Sequence, residues 1–140
     1  MTSMAKLTGL FRREFARRLA AEDWAYTVGS RPPMYGTLQV IASKGPISQR
    51  EVADIILLHP SEMVSMIDGL EAHGMVRRER DPHDRRRYQL TLTGAGLELL
   101  GRFDVVARAA EDTVLAPLTA PERATLARLS AKATAQISLS

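Results

Sequence analysis

The chain has 140 residues, a formal net charge of +3 and no cysteine, and only 5% of its residues are aromatic. The absence of cysteine excludes disulfides and thiolate metal sites, and no apolar run approaches the roughly 20 residues that a membrane helix needs. We therefore expect a mainly helical, cytoplasmic protein without a membrane partner, whose positive charge favours an anionic one. The length predicts a single domain over residues 1–140.

The first two predicted helices are separated by a break at residues 28–33. Along the first helix, an apolar face recurs at every fourth position and lies opposite an arginine-rich face. That face consists of Leu7, Phe11, Phe15 and Leu19, with Leu10 beside it. Pro32 and Pro33 suit the first turn of the second helix, and Gly45-Pro46 ends it. The predicted inner face of this helix contains Met34, Leu38, Ile41 and Ala42.

Residues 47–73 predict a helix-turn-helix. Ser48 and Glu51 have the spacing of a capping box, which predicts the start of a short third helix. The turn follows at residues 57–59, and Pro60 begins a fourth helix that Gly74 ends. Four apolar residues at helical spacing face the core: Met63, Met66, Ile67 and Leu70.

A basic hairpin is predicted directly after the fourth helix. Six arginines fall within the eleven residues from Arg77 to Arg87. Residues 76–80 and 87–93 predict two strands around a turn at 81–85, with Tyr88, Leu90 and Leu92 on the buried face. A run of charge is most often a solvated surface, but its position after a helix-turn-helix favours DNA contact.

Two more amphipathic helices are predicted after the hairpin. Thr93 caps a long fifth helix that extends to about residue 116, and Thr119 with Glu122 forms a second capping box that opens a sixth. The fifth helix has an apolar stripe of Leu97, Leu100, Phe103, Ala107, Ala110 and Val114. The sixth carries Leu126, Leu129, Ala133 and Ile137 on its inner face.

The first, fifth and sixth helices together predict a homodimer. The middle helices of one chain are too few to cover three apolar stripes, whereas a second copy would cover them around a two-fold axis. Residues 32–92 would then form the DNA-binding lobe, and residues 1–27 and 93–140 the dimerisation helices. The predicted interface residues are Leu7, Leu10, Phe11, Leu115, Leu118, Leu126 and Leu129.

Residues 58–96 resemble the MarR family of bacterial transcriptional regulators. The resemblance rests on Leu58, Pro60, Ser61, Leu70, Glu71, Gly74, Val76, Arg78, Asp81, Pro82, Asp84, Arg85, Arg86, Leu90, Leu92, Thr93 and Gly96. It extends to a second segment formed by Leu118, Thr119, Glu122, Arg123 and Leu126. The resemblance implies a winged-helix homodimer of about six helices with a two-stranded β-wing, built through helices one, five and six.

The resemblance also implies how double-stranded DNA is bound. The fourth helix would lie in the major groove, and Arg86 would enter the minor groove, with Asp84 holding the wing tip. The fourth helix carries Glu62, Asp68 and Glu71 but no lysine or arginine. Base discrimination would therefore be weak, and the wing would supply most of the affinity. The predicted DNA contacts are Gln49, Arg50, Pro60, Ser61, Val64, Ser65, Arg77, Arg80, Asp84, Arg85, Arg86 and Arg87.

The family resemblance further implies a small phenolic or anionic effector, bound between the dimer helices and the DNA-binding lobe. The candidate pocket residues are Arg17, Trp24, Tyr26, Met34, Tyr35 and Leu38. The alternative interpretation of these residues is packing in the core or at an interface.

The remaining patterns argue against catalysis. His59, His73 and His83 have no metal-ligand spacing, and the sequence offers no nucleophile–base pair and no phosphate-binding glycine loop. We therefore expect no cofactor, no metal and no enzyme activity. The leading hypothesis is a sequence-specific, ligand-responsive repressor that binds a palindromic operator as a dimer. The alternative is a winged-helix dimer that has lost operator recognition and binds a protein partner instead.

Overall fold

The computed structural model describes residues 1–135, which form seven helices and one three-stranded antiparallel sheet. The elements are α1 (Ser3–Ala20), α2 (Asp23–Thr27), α3 (Pro32–Lys44), β1 (Ile47–Ser48), α4 (Gln49–Ile56), α5 (Pro60–Ala72), β2 (Val76–Arg80), β3 (Tyr88–Leu92), α6 (Gly94–Val114) and α7 (Ala120–Ala135). The predicted mainly helical winged helix-turn-helix fold is confirmed. Elements α2 and β1 were not predicted, because segments of five and two residues are too short to show a period.

Local side-chain bonds begin the helices where the sequence predicts. The Glu51 amide donates to Ser48 Oγ at 3.2 Å, and the Ser48 amide donates to a Glu51 carboxylate oxygen at 3.2 Å. A second reciprocal pair joins Thr119 and Glu122 ahead of α7, at 2.9 and 3.3 Å. Thr93 Oγ1 accepts from the Gly96 amide at 3.1 Å. Both predicted capping boxes and the predicted Thr93 cap are thus confirmed.

The sheet places the wing against the helix-turn-helix. Its strand order is β1-β3-β2, so β3 is central and pairs with a strand on each side. Leu90 is opposite Ile47 of β1 and Arg78 of β2, and it is buried. Tyr88 was expected on the same buried face but is exposed. The cause is that β3 leaves the core near the wing tip, where the Arg80 guanidinium covers the Tyr88 ring at 5.2 Å from its centroid.

One apolar core joins α1, α3 and α6 to the helix-turn-helix. Phe103 of α6 is completely buried at its centre, with the rings of Trp24, Tyr35 and Phe15 at centroid distances of 5.2, 5.8 and 6.3 Å. The Tyr35 hydroxyl donates to Asp104 Oδ1 at 2.5 Å, which ties α3 directly to α6.

Two predicted core faces need correction. The stripe of α6 runs through Gly96, Leu99, Phe103, Val106, Ala107 and Ala110. Leu97 was expected in this stripe but is exposed, because the contact with α1 and α3 rotates the buried face toward Leu99. On α3, Ala42 was expected inward but is exposed, since Ile41 already fills the last core position of that helix.

Helix α7 contributes no buried residue to this core. Its best-defined link to the rest of the chain is Arg123, which donates to Asp112 Oδ1 at 3.0 Å and to the Leu115 carbonyl at 3.2 Å. The prediction that Leu129 and Ala133 face inward is therefore wrong for the single chain, and Ile137 lies outside the described residues. No helix within residues 1–135 combines the length and apolar character that crossing a membrane requires.

Candidate nucleic-acid interface

Helix α5 presents a face of mostly small side chains to solvent because its four large apolar residues pack into the core. Met63, Met66, Ile67 and Leu70 are buried, whereas Ser61, Val64 and Ser65 lie on the outer face. Pro60 occupies the first turn, where its missing N–H costs no hydrogen bond. The predicted base-contacting residues of α5 are thus free of the core.

His59 caps α5, a role that the sequence interpretation missed. The Ser61 amide donates to His59 Nδ1 at 3.1 Å, and the Ser61 hydroxyl lies 2.7 Å from the same nitrogen. Histidine is not among the usual capping residues, so the only signal for this role was its position directly before Pro60. The cap fixes the end of α5 that carries Ser61.

The wing projects beyond the core and ends in an exposed arginine. The Arg86 side chain is 92% exposed, and Asp84 Oδ1 accepts from the Arg86 amide at 3.1 Å and lies 3.4 Å from its Nε. On the same hairpin, Arg80 donates to the Arg85 carbonyl at 2.6 Å. Asp84 therefore stands beside Arg86 in the arrangement that the resemblance implies, while the role of both residues in DNA binding stays a prediction.

One groove brings the helix-turn-helix and the wing together. A cavity of about 540 Å³ is bordered by Gln49 and Arg50 of α4, Val64 of α5 and Arg87 beside β3. A neighbouring cavity of about 410 Å³ lies between α4 and α5 and is bordered by Pro60 as well. Arg50 and Arg87 form no ion pair within 4 Å among residues 1–135, so both guanidinium groups are available to an external anion.

Arg78 is the second residue that the sequence interpretation missed. It lies on β2 between exposed Arg77 and Glu79, but its side chain turns back toward the helices and contacts Gln49, Asp68 and Glu71. The alternation of side chains along a strand was the available signal, because neighbours on a strand point to opposite faces.

Four of the candidate effector residues are divided between the core and two separate cavities. Met34 and Leu38 are buried in the core, and Tyr26 borders a cavity of about 250 Å³ that Trp24 does not reach. Trp24 borders another, of about 180 Å³, on the α6 side. Arg17 is bound to Glu14 at 2.6 Å, and this hydrogen bond holds the pKa of Glu14 below its usual range. Burial, reinforced by the hydrogen bond to Asp104, raises the pKa of Tyr35 well above its usual range.

An apolar groove lies where the dimer interface was predicted. Its volume is about 500 Å³, and α1, α6 and α7 form its walls. Four predicted interface residues line it: Leu7, Phe11, Leu115 and Leu126. Leu10 and Leu129 are about half exposed in the single chain. Among residues 1–135, no three histidine or acidic side chains are grouped closely enough to hold a metal ion.

A helix-turn-helix followed by a basic two-stranded wing defines a winged-helix DNA-binding protein. Comparison with known proteins gives the family: the MarR family profile matches residues 31–87. A putative transcriptional regulatory protein for the hcr operon of Thauera aromatica is 35% identical over 114 residues, which are 81% of this chain and 66% of that protein. The HTH-type transcriptional repressor Mb2911 of Mycobacterium bovis is 31% identical over 102 residues, which are 73% of each.

A solved structure agrees with this assignment. The MarR family protein Rv2887 of Mycobacterium tuberculosis in complex with DNA is 26% identical, with a TM-score of 0.73 over 92% of both chains. The same protein has also been solved with salicylic acid. The present chain belongs to the MarR family of transcriptional regulators, and these relatives are regulators rather than enzymes.

Proposed function

We propose that this protein is a dimeric repressor that binds a palindromic operator, with α5 in the major groove and the wing along the minor groove. The observation that carries the proposal is the shared groove, which brings Arg50, Val64 and Arg87 to one surface. A helix with small side chains can approach base edges, and the flanking guanidinium groups can neutralise phosphates. Two relatives support the same function: Mb2911, which is named as a repressor, and Rv2887, whose structure was solved with DNA.

Dimer formation is supported by the apolar groove between α1, α6 and α7. A second copy would cover Leu10, Leu129 and the lining of that groove, all of which one chain leaves accessible. Two-fold symmetry would place the two copies of α5 about one turn of DNA apart, roughly 34 Å. The operator would then be an inverted repeat.

An effector of the phenolic or anionic class is supported by the salicylic acid complex of the M. tuberculosis relative. Such a ligand would act by favouring a spacing of the two α5 helices that the operator does not fit. Salicylate titrated into the protein–DNA complex should raise the apparent Kd for DNA, whereas no change at saturating salicylate would refute this class.

The experiment that tests the main proposal is selection of duplexes from a random-sequence pool by the purified protein. The proposal predicts enrichment of an inverted repeat whose half-sites are about 10 base pairs apart. A pool that stays unenriched after repeated selection would contradict it.

The alternative, a protein-interaction module, depended on the acidic character of α5. Two of the three acidic residues of α5, Asp68 and Glu71, form ion pairs with Arg78. No observation therefore favours the alternative over DNA binding.

A further inference from the structure

One guanidinium group joins three elements of the DNA-binding lobe. Arg78 Nη2 donates to Asp68 Oδ1 of α5 at 2.8 Å and to Gln49 Oε1 of α4 at 3.1 Å. Arg78 Nη1 lies 3.9 Å from Glu71 Oε1, one turn further along α5. Since Arg78 itself belongs to β2, its side chain connects the wing to both helices of the helix-turn-helix.

The burial of Arg78 distinguishes it from the arginines that face solvent. Its side chain is 27% exposed, against 64% for Arg77 next to it and 92% for Arg86 at the wing tip. Two neighbouring protein acceptors already use its Nη2, and carboxylates stand on its α5 side. A DNA phosphate in this position would compete with Asp68 and be repelled by Glu71.

The contact with Gln49 also orients a group at the start of α4. When the Gln49 carbonyl oxygen accepts from Arg78, its amide nitrogen points away from Arg78, and within the described part of the chain both of its hydrogens remain free to donate. Gln49 borders the same groove as Arg50 and Arg87. An amide held in this position can bind a phosphate with a smaller loss of side-chain conformational entropy.

We propose that Arg78 is a positioning residue, which sets the angle between α5 and the wing and thereby the protein's ability to distinguish one DNA sequence from another. The inference rests on the proposed function. Arg78 acts through Asp68, Glu71 and Gln49 and not through its own contact with DNA.

The test compares two duplexes: one enriched by the wild-type protein from a random-sequence pool, and a scrambled duplex of the same length and composition. Arg78→Met should reduce the ratio of the two affinities by about tenfold or more, as expected when residues of one network are uncoupled. Its affinity for the scrambled duplex and the slope of log K against log salt should stay within error of wild type. Loss of folded protein cannot mimic this result, because it lowers both affinities by the same factor.

Arg77→Met is the variant to which Arg78→Met is compared. Arg12→Met, at an exposed position of α1, is the neutral control. Arg77 is a predicted phosphate contact, so Arg77→Met should weaken both duplexes alike and reduce the salt slope by about 1. The same behaviour in Arg78→Met would overturn the proposal, because it would make Arg78 a phosphate contact. An unchanged affinity ratio in Arg78→Met would overturn it as well.

Should Arg78→Met fail to fold, Asp68→Asn supplies the second test, because it removes one partner and leaves Arg78 in place. Asp68→Asn should also lower the ratio of affinities, and an unchanged ratio would contradict the proposal. A wild-type protein that bound both duplexes equally would refute the proposed function itself. If instead wild type distinguished the two duplexes and the variants did so equally well, only the proposal about Arg78 would be refuted.

Discussion

At the scale of single residues, two residues of the helix-turn-helix are unusual: one in its backbone conformation and one in its role as a helix cap. Leu57 ends α4 with φ = 57°, in the left-handed region that glycine or asparagine usually occupies, and its side chain is exposed. Two residues later, His59 begins α5 by accepting from the Ser61 amide. The turn is therefore set by the backbone of Leu57 and the imidazole of His59.

We predict that His59→Ala lowers the free energy of unfolding by about 1 kcal/mol, the usual cost of removing a helix cap. His59→Ser, which restores a capping oxygen, should recover most of that loss. Thermal or urea unfolding of the three proteins measures the effect. Equal stability of wild type and His59→Ala would show that the Ser61 amide needs no side-chain partner.

A second prediction at this scale concerns Tyr35. Its hydroxyl bonds Asp104, and its pKa is raised by burial, so the folded state holds the phenolic proton more tightly than the unfolded state does. The stabilisation from this group is complete below the ordinary tyrosine pKa of about 10 and is lost as pH rises above it.

Tyr35→Phe should therefore cost about 1.5 kcal/mol at neutral pH, the lower end for a hydrogen bond to a charged group. Above pH 10, the difference in unfolding free energy between the two proteins should shrink as pH increases. Urea unfolding at several pH values measures it. A difference that stayed constant or grew with pH would contradict the assigned direction.

At the scale of elements, the wing is a basic hairpin whose arginines have different partners. Arg80 bonds the Arg85 carbonyl and covers Tyr88, Arg78 bonds the helices, and Arg86 extends into solvent. An arginine can place its guanidinium group in a narrow minor groove, where the negative potential is concentrated, only if contacts within the protein do not hold it elsewhere. Among these three, Arg86 meets that condition best, because its side chain stays 92% exposed at the wing tip beside its ion-pair partner Asp84.

We predict that Arg86→Ala weakens binding to the selected duplex by about 1–3 kcal/mol, the range for a specific groove contact. Stability should be unaffected because the side chain is 92% exposed and Asp84 is its only ion-pair partner among residues 1–135. Arg12→Ala, an exposed arginine of α1, is the matched control and should bind as wild type does. Gel-shift titration decides the matter, and an unchanged Kd for Arg86→Ala would remove the wing tip from the interface.

The features that could be predicted from the sequence are those that depend on interactions between residues close together in the chain. The two capping boxes, the Thr93 cap and the core face of α5 depend on residues three or four positions apart, and all were found. The rest depended on distant partners. The buried side of α6 is chosen by contact with α1 and α3, and Arg78 finds Gln49 across 29 positions of sequence. Neither contact leaves a periodic pattern.

At the scale of the whole molecule, the core covers α1, α3 and α6 but leaves α7 and one groove uncovered. Exposed apolar surface of this kind often marks an interaction site, and in the proposed dimer a second copy would bury it. The proposed dimer would account for the exposure of Leu10 and Leu129 in a single chain.

We predict that Leu10→Asp and Leu129→Asp weaken self-association at least tenfold without lowering the stability of the isolated chain, because neither side chain belongs to the core. Leu97→Asp, at a similarly exposed leucine of α6 that is not among the predicted interface residues, should leave association unchanged. Sedimentation equilibrium measures the dissociation constant. Dimers of unaltered affinity in both the Leu10→Asp and the Leu129→Asp variants would place the interface elsewhere.

The central claim is that two copies bind one operator, each through α5 and a wing. A hydroxyl-radical footprint on the selected duplex tests it most directly. We predict two protected half-sites about 10 base pairs apart, each flanked on its outer side by minor-groove protection that Arg86→Ala removes. A single protected site, or flanking protection that survives in Arg86→Ala, would contradict this account.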